Sequence, residues 1–226
     1  MSWSAETIAA RLLHRDGLVL VIDKPAGLPV HAGPGGGEHL EMYLEGLRFG
    51  LPQLPQLAHR LDRDTSGCLV LGRHRKALRK LGRLFSEGLA EKTYWAVVSG
   101  SPGEPEGRIE APLKKLTTKA GWKMVTAADG QPAATGWRVL GSGYGLSFVA
   151  FQPFTGRTHQ IRVHAAALGC PVLGDAAYGP KGQGKPLHLH ARRIVLPLKA
   201  GQPPLVVEAP VPAHMQSALS LCGWRP

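Results

Sequence analysis

With 226 residues, 43% of them hydrophobic and 19% charged, the chain can bury a substantial core and lacks the composition of a disordered or fibrous protein. Twenty-seven Lys+Arg against sixteen Asp+Glu leave a formal net charge of +11, which favours an extended polyanion as partner, either nucleic acid or an anionic membrane surface. A spanning helix is excluded, because the longest clean aliphatic run, residues 18–22, is far short of the roughly 20 residues required.

The first six residues lack the basic and apolar regions of a signal peptide, so no export is expected. Residues 5–14 carry a short helical pattern. Leu18-Val19-Leu20-Val21-Ile22 reads as a buried strand, closed by the turn formers of Asp23-Lys24-Pro25-Ala26-Gly27. Gly33-Pro34-Gly35-Gly36-Gly37 is a loop, either a passive linker or a lid over substrate. Residues 67–71 form a strand in which Cys68 is a small core residue, and residues 74–90 form a helix. Leu78, Leu81 and Phe85 recur at helical spacing as its core face, while Lys76, Arg79, Lys80 and Arg83 occupy another. Six basic residues and no acidic one between Arg73 and Arg83 mark a phosphate-facing stripe rather than an ordinary solvated face.

Strands follow at 92–99, 123–126, 135–140 and 146–152, then a helix over 158–168 that Gly169 stops. Residues 171–173, 187–196 and 205–208 are further strands, and 215–222 a closing helix. Gly- and Pro-rich turns indicate antiparallel neighbours, and no βαβ alternation persists. The class is therefore α+β with a mostly antiparallel mixed sheet. No Pro/Ser-rich linker divides the chain, so residues 1–226 are expected to form a single domain. Cys68, Cys170 and Cys222 are widely spaced and odd in number, supporting neither a disulfide framework nor a thiolate zinc site and pointing to a reducing cytoplasm.

Three clusters carry candidate chemistry. His59-Arg60-Leu61-Asp62-Arg63-Asp64-Thr65-Ser66-Gly67 packs three cationic or titratable side chains, two carboxylates and two hydroxyls into nine residues at the mouth of an apolar strand. A salt-bridged strand entry is the plainer alternative. Thr155-Gly156-Arg157-Thr158-His159-Gln160-Ile161-Arg162-Val163-His164 opens a helix with Thr158 as expected N-cap. Arg157 and the first helical amides there make an anion-friendly corner, and His159 and Arg162 share a flank. In Glu91-Lys92-Thr93-Tyr94-Trp95-Ala96-Val97-Val98, strand alternation sends Tyr94 and Trp95 to opposite faces, one to the core and the other available to stack on a base.

Three other patterns do not hold up. Gly179-Pro180-Lys181-Gly182-Gln183-Gly184-Lys185 fits a phosphate loop, but Pro186 stands where a magnesium-binding hydroxyl belongs. His188 and His190 alternate on a strand without a third metal ligand, which makes them structural histidines. Asp62 and Asp64, about 6–7 Å apart if extended, resemble a glycosidase pair, but a strongly basic chain is an odd home for neutral-sugar hydrolysis.

Taken together, the segments resemble a pseudouridine synthase of the RluA type. The resemblance rests on His59-Arg60-Leu61-Asp62-Arg63-Asp64-Thr65-Ser66-Gly67, whose His-Arg opening separates it from the RsuA type. It extends through Asp23-Lys24-Pro25-Ala26-Gly27, His31, the Tyr94 and Arg162 segments, Leu173-Gly174-Asp175 and Leu187-His188-Leu189-His190-Ala191, covering roughly residues 15 to 210. It implies a catalytic cleft between two lobes of a bent mixed sheet with flanking helices, without the N-terminal S4 domain that relatives often carry. Asp62 would attack the uridine, at the sugar or at the base, so that the uracil detaches, rotates and reattaches through carbon. Arg162 would be its counter-charge, and Tyr94 would stack on the uracil and serve a later proton transfer. Arg60 would fill the gap left by the flipped base and Ile161 would pack beneath that base. His59, Arg63, Arg157, His159 and the stripe Lys76, Arg79, Lys80 and Arg83 would hold the RNA. No metal or other cofactor is implied, and the expected protein is a cytoplasmic monomer acting on ribosomal or transfer RNA. A non-catalytic RNA-binding or ribosome-assembly module on the same fold, and a metal-dependent RNA hydrolase, are the competing readings.

Overall fold

The computed structural model describes residues 3–33, 35–118, 121–180 and 184–226. Pro34 of the expected glycine loop and Lys181, Gly182 and Gln183 of the rejected phosphate-loop pattern lie outside the described residues. In chain order the elements are α1 (Ala5–Ala9), β1 (Leu12–Arg15), β2 (Val19–Lys24), a 3-10 helix (Leu40–Leu47), β3 (Gln56–Leu57), β4 (Ser66–Gly72) and α2 (Arg75–Ser86). There follow β5 (Glu91–Ser99), β6 (Glu106–Glu110), β7 (Leu113–Thr118), β8 (Gly121–Thr126), β9 (Ala134–Gly143) and β10 (Leu146–Pro153). The chain closes with α3 (Gln160–Ala167), β11 (Leu189–Leu196), β12 (Leu205–Glu208) and α4 (Ala213–Leu221). The class is α+β and the strand pairing mostly antiparallel, as the Gly/Pro turns require.

Two compact units divide the chain, Met1–Lys92 with Ala191–Pro210, and Thr93–His190 with Val211–Pro226. In the first, the strands run β1-β2-β4-β11, with β3 added to β4 and β12 to β11. Val19, Val21, Cys68 and Val70 point to one face and pack with Leu81 and Leu84 of α2 and Val207 of β12. Leu20, Ile22, Leu69 and Leu71 alternate with them and are equally buried, so β2 and β4 are apolar at nearly every position.

In the second unit the order is β5-β10-β9-β6, with β7 and β8 forming a separate hairpin. Strand alternation splits its core in two. Ala96, Val98, Val149 and Phe151 meet Ile161 and Ala165 of α3. Val97 and Phe148 meet Met215, Ala218 and Leu219 of α4. The two helices therefore cover opposite faces of this sheet.

Several expectations need correction. The helix over 5–14 ends at Ala9, started by a reciprocal Ser4–Thr7 capping box. Leu12–Arg15 is instead a strand on β2, because backbone pairing with a buried neighbour outweighs a helical period that a few apolar residues fit equally well. The helix over 74–90 ends at Ser86, and its fully buried positions are Ala77, Leu81 and Leu84, leaving Leu78 and Phe85 half-buried at the flank. Residues 171–173 make only a single bridge, Val98 to Val172, rather than a strand. The short β3, β6 and β7 and the 3-10 helix have no counterpart in the sequence reading. Polar β6 and β7 carry almost no hydrophobic alternation by which to recognise them.

Candidate active site

In the first unit, the segment before β4 folds as a turn in which Thr65 N–H donates to the Asp62 carbonyl at 3.2 Å. Leu61, Thr65 and Ser66 are buried, Asp62 is half-buried, and Arg60 and Arg63 are exposed. The turn is thus anchored on both sides while Asp62 sits at its rim. Gly67 follows at φ +106°, where a Cβ would lie 2.3 Å from the Ala191 carbonyl oxygen, so only glycine admits this approach. Arg63 pairs with the neighbouring Asp64, Nε to Oδ1 at 3.0 Å.

Beneath the turn lies a residue to which the sequence reading assigned no role. Lys24 is fully buried, and its Nζ donates to the carbonyls of Pro25 (2.7 Å), Leu28 (2.8 Å) and Arg63 (3.0 Å). Three carbonyl acceptors match the three donors of an ammonium. Burial pushes its pKa down to about 7, while the charges of Asp64 and Asp62 hold it up. Gly27 N–H also donates to the Arg63 carbonyl, so the β2 turn and the Asp62 turn share one hydrogen-bond node.

His59 is placed differently from an RNA-facing side chain. Its Nε2 accepts from Val70 N–H at 3.0 Å, and its ring packs on Phe85 at 4.6 Å. Burial drives its pKa down to about 3, so it is a neutral acceptor that fastens the turn to β4.

In the second unit, Tyr94 packs with the cluster containing Phe151 and Ile161, and lies opposite Phe151 in the β5–β10 register. Trp95 turns to the α4 side, edge-on to Phe148 at 4.9 Å. The expected cap at Thr158 is not formed: α3 begins at Gln160, and the residue before it, His159, is left-handed (φ 54°). Gln160 ties down this corner instead. Its Oε1 accepts from Thr155 Oγ1 (2.6 Å) and Arg157 N–H (3.0 Å), and its Nε2 donates to Ala134 O and Thr135 Oγ1, both at 2.9 Å. Arg157 is exposed and reaches the Pro132 carbonyl with Nε at 3.1 Å.

Arg162 is buried and makes a two-pronged ion pair with Asp175, Nε to Oδ2 at 2.7 Å and Nη2 to Oδ1 at 2.8 Å. Burial raises the Asp175 pKa, but the hydrogen bonds and charge of Arg162 and the amides of Ala177 and Tyr178 outweigh it, leaving a net lowering. Asp175 is therefore a permanent carboxylate that fixes the plane of the Arg162 guanidinium.

Residues 18–167 match the family of RNA pseudouridylate synthases. The chain belongs to that family.

This pseudouridine synthase is of the RluA type, and it is similar along nearly its whole length to other proteins bearing the name. An uncharacterized RNA pseudouridine synthase of Zymomonas mobilis is 45% identical over 211 residues, 91% of this chain and 95% of that protein. Ribosomal large subunit pseudouridine synthase C of Vibrio cholerae is 35% identical over 219 residues, 92% of this chain and 68% of that one. The structure of human RNA pseudouridylate synthase domain containing 4 superposes with a TM-score of 0.83 at 28% identity, covering 98% of this chain and 96% of that one.

The remaining candidates of this pseudouridine synthase fall as follows. Lys76, Arg79, Lys80 and Arg83 are all exposed on α2, and Arg83 also pairs with Glu87 at 3.4 Å. His188 bonds the Pro186 carbonyl through Nδ1 at 2.8 Å and packs edge-on against His214, while His190 is fully buried. Among the described residues no group of three or more His, Cys, Asp or Glu is placed to hold a metal ion. No described helix is long and apolar enough to cross a membrane.

Lys24 and Asp175 each lie in segments that carry the family resemblance, but nothing in their spacing marks their partners. Replacing Lys24 with Met is expected to leave three carbonyls around the Asp62 turn without their shared donor. At roughly 1–3 kcal/mol for a buried unsatisfied polar group, urea titration should show a loss on the order of 3 kcal/mol. A variant as stable as the parent would mean that the node does not brace the turn.

Proposed function

We propose that this RNA pseudouridine synthase isomerises specific uridines of structured ribosomal or transfer RNA, using Asp62 as nucleophile on a base turned out of its stack. The observation that carries the reading is the Asp62 turn itself. A half-buried carboxylate stands at the rim of a loop that is anchored by buried Leu61, Thr65 and Ser66 and whose backbone is gripped from below by Lys24. Rigid support around one accessible, half-buried reactive group is what covalent catalysis requires.

Around it, the roles divide by chemistry. Arg162, its fork oriented by Asp175, is the counter-charge that this proposal gives to the nucleophile. Tyr94, packed against the cluster that includes Ile161, offers a flat aromatic surface and a hydroxyl to the detached uracil. Exposed Arg60 occupies the space the base leaves, and exposed Arg63 and Arg157, with His159, steady the surrounding strand. No step in this isomerisation requires redox or metal chemistry.

The α2 stripe is the proposed phosphate-binding surface. Arg75 and Lys76 stand in the first turn of α2, where the helix dipole disfavours cations and where no acidic residue offsets them. A bound phosphate reverses that penalty. Changing Lys76, Arg79 and Lys80 to Gln together is expected to weaken RNA binding and to flatten the log Kd against log salt plot by about 2–3, near one unit per lost phosphate contact. Filter binding over a salt series reads this directly, and an unchanged slope would take the stripe out of the interface.

The activity is tested by release of tritium from RNA labelled at uridine C5, followed by mapping pseudouridines in cellular RNA with and without the gene. Sites lost with the gene and restored by the purified protein identify the target. Absence of release from total ribosomal and transfer RNA would sink the proposal.

A further inference from the structure

We infer that Tyr178 is a positioning residue that ties the β7–β8 hairpin to the guanidinium of Arg162. The inference rests on the proposed role of Arg162 and concerns what holds that side chain in place.

Asp175 does two jobs in one short segment. Its carboxylate grips Arg162, and Oδ1 also accepts from the backbone N–H groups of Ala177 (3.0 Å) and Tyr178 (3.1 Å). Gly179 N–H closes the turn on the Asp175 carbonyl at 2.9 Å. That turn carries the Tyr178 ring to 5.0 Å from the Arg162 guanidinium carbon. The guanidinium is thus held by a carboxylate and by an aromatic face, and the same anchor builds both contacts.

The hydroxyl end of Tyr178 points elsewhere. It accepts from Met124 N–H of β8 at 3.0 Å and shares a hydrogen bond of 2.8 Å with His159 Nδ1. Tyr178 also packs, with Met124, on the small core of Leu113, Ala133 and Val163. The His159 ring in turn lies over Trp122 of β8, 5.3 Å away and 22° from parallel, and Lys115 of β7 places Nζ 4.9 Å from the Trp122 ring. A continuous series of contacts therefore runs from Lys115 and exposed Trp122 of the hairpin, through His159 and the Tyr178 hydroxyl, to the Arg162 guanidinium. Displacing the hairpin moves the hydroxyl, and a rigid ring transmits that movement to its face over Arg162.

The test is a double-mutant cycle read in single turnover with excess enzyme. In the parent background, Tyr178→Leu is expected to slow pseudouridine formation about 30-fold, and Tyr178→Phe, which keeps the ring but cuts both hydrogen bonds, about 5-fold. Because the ring acts by orienting a planar fork, an Arg162→Lys enzyme, with a point charge in its place, should lose less than about 3-fold more on adding Tyr178→Leu. Equal losses in both backgrounds, or a parental rate for Tyr178→Leu, would overturn the role of Tyr178. A parental rate for Tyr178→Phe would overturn the link to the hairpin. Arg162→Lys by itself at the parental rate would strike instead at the proposed role of Arg162.

Discussion

Asp62→Asn is expected to reduce pseudouridine formation by at least roughly 1,000-fold while leaving RNA affinity within a few-fold of the parent. The amide has nearly the shape of the carboxylate but cannot act as an anionic nucleophile. The turn should survive, because its backbone hydrogen bonds, Thr65 N–H to Asp62 O and the Lys24 node at Arg63 O, do not use the Asp62 side chain. One secondary effect follows from charge. Asp62 is among the carboxylates that hold the Lys24 pKa up against burial, so its removal lowers that pKa further. A buried base whose folded pKa lies below its unfolded value carries its full penalty below the folded pKa and loses it only as pH rises from the folded towards the unfolded value, whereas the attraction of Asp62 for Lys24 acts only while Lys24 is protonated in the fold. The variant should therefore lose more stability at pH 6 than at pH 8 relative to the parent. Tritium release, electrophoretic binding and urea titration at the two pH values check all three statements. Residual turnover near the parental rate would remove Asp62 from the chemistry.

Asp175→Ala should be the most damaging change to stability, by about 3–5 kcal/mol, because it strips a buried guanidinium of its carboxylate. Asp175 is 2% exposed and Arg162 8%, so water cannot take over the lost bonds without opening the structure. The substitution also releases the amides of Ala177 and Tyr178. Replacing the pair together, Arg162→Met with Asp175→Leu, should restore most of the stability and none of the activity, separating the scaffold role from the proposed catalytic one. The Asp175 pKa is lowered in the fold, so its contribution is complete above the unfolded carboxylate value, about 3.9, and fades as pH falls through the lower folded value. Acid unfolding of the parent should show this loss and Asp175→Ala should lack it. A single variant as stable as the parent would mean that the pair carries little of the fold's stability.

Much of the protein could be read from its residues alone. Strands of continuous Val, Ile and Leu such as 19–22 and 69–71 signal burial on both faces, and the basic run on α2 is visible as charge without countercharge. Elements that lack such patterning escaped notice. β6 and β7 are mostly exposed polar strands, whereas the 3-10 helix at Leu40–Leu47 does bury Leu40, Leu44 and Leu47 at helical spacing, a short signal that the sequence reading passed over. The helix start at Gln160 was misplaced because a left-handed residue and a buried glutamine, not a hydroxyl cap, close that corner.

The sequence by itself determined the α+β class and the family, and it singled out the polar segments proposed to react, since local periodicity and dense polar motifs are properties of neighbouring residues. Only the tertiary structure decided that Lys24 bonds the carbonyls beneath the Asp62 turn, that His59 is a neutral fastener, that Asp175 pairs with Arg162 and that the Tyr178 ring lies against its guanidinium. Those assignments depend on contacts between residues 11, 13, 16 and 39 positions apart in the chain. Nothing in one dimension reports which buried charge meets which carbonyl, because folding alone brings them within bonding distance and removes the water that would otherwise serve them.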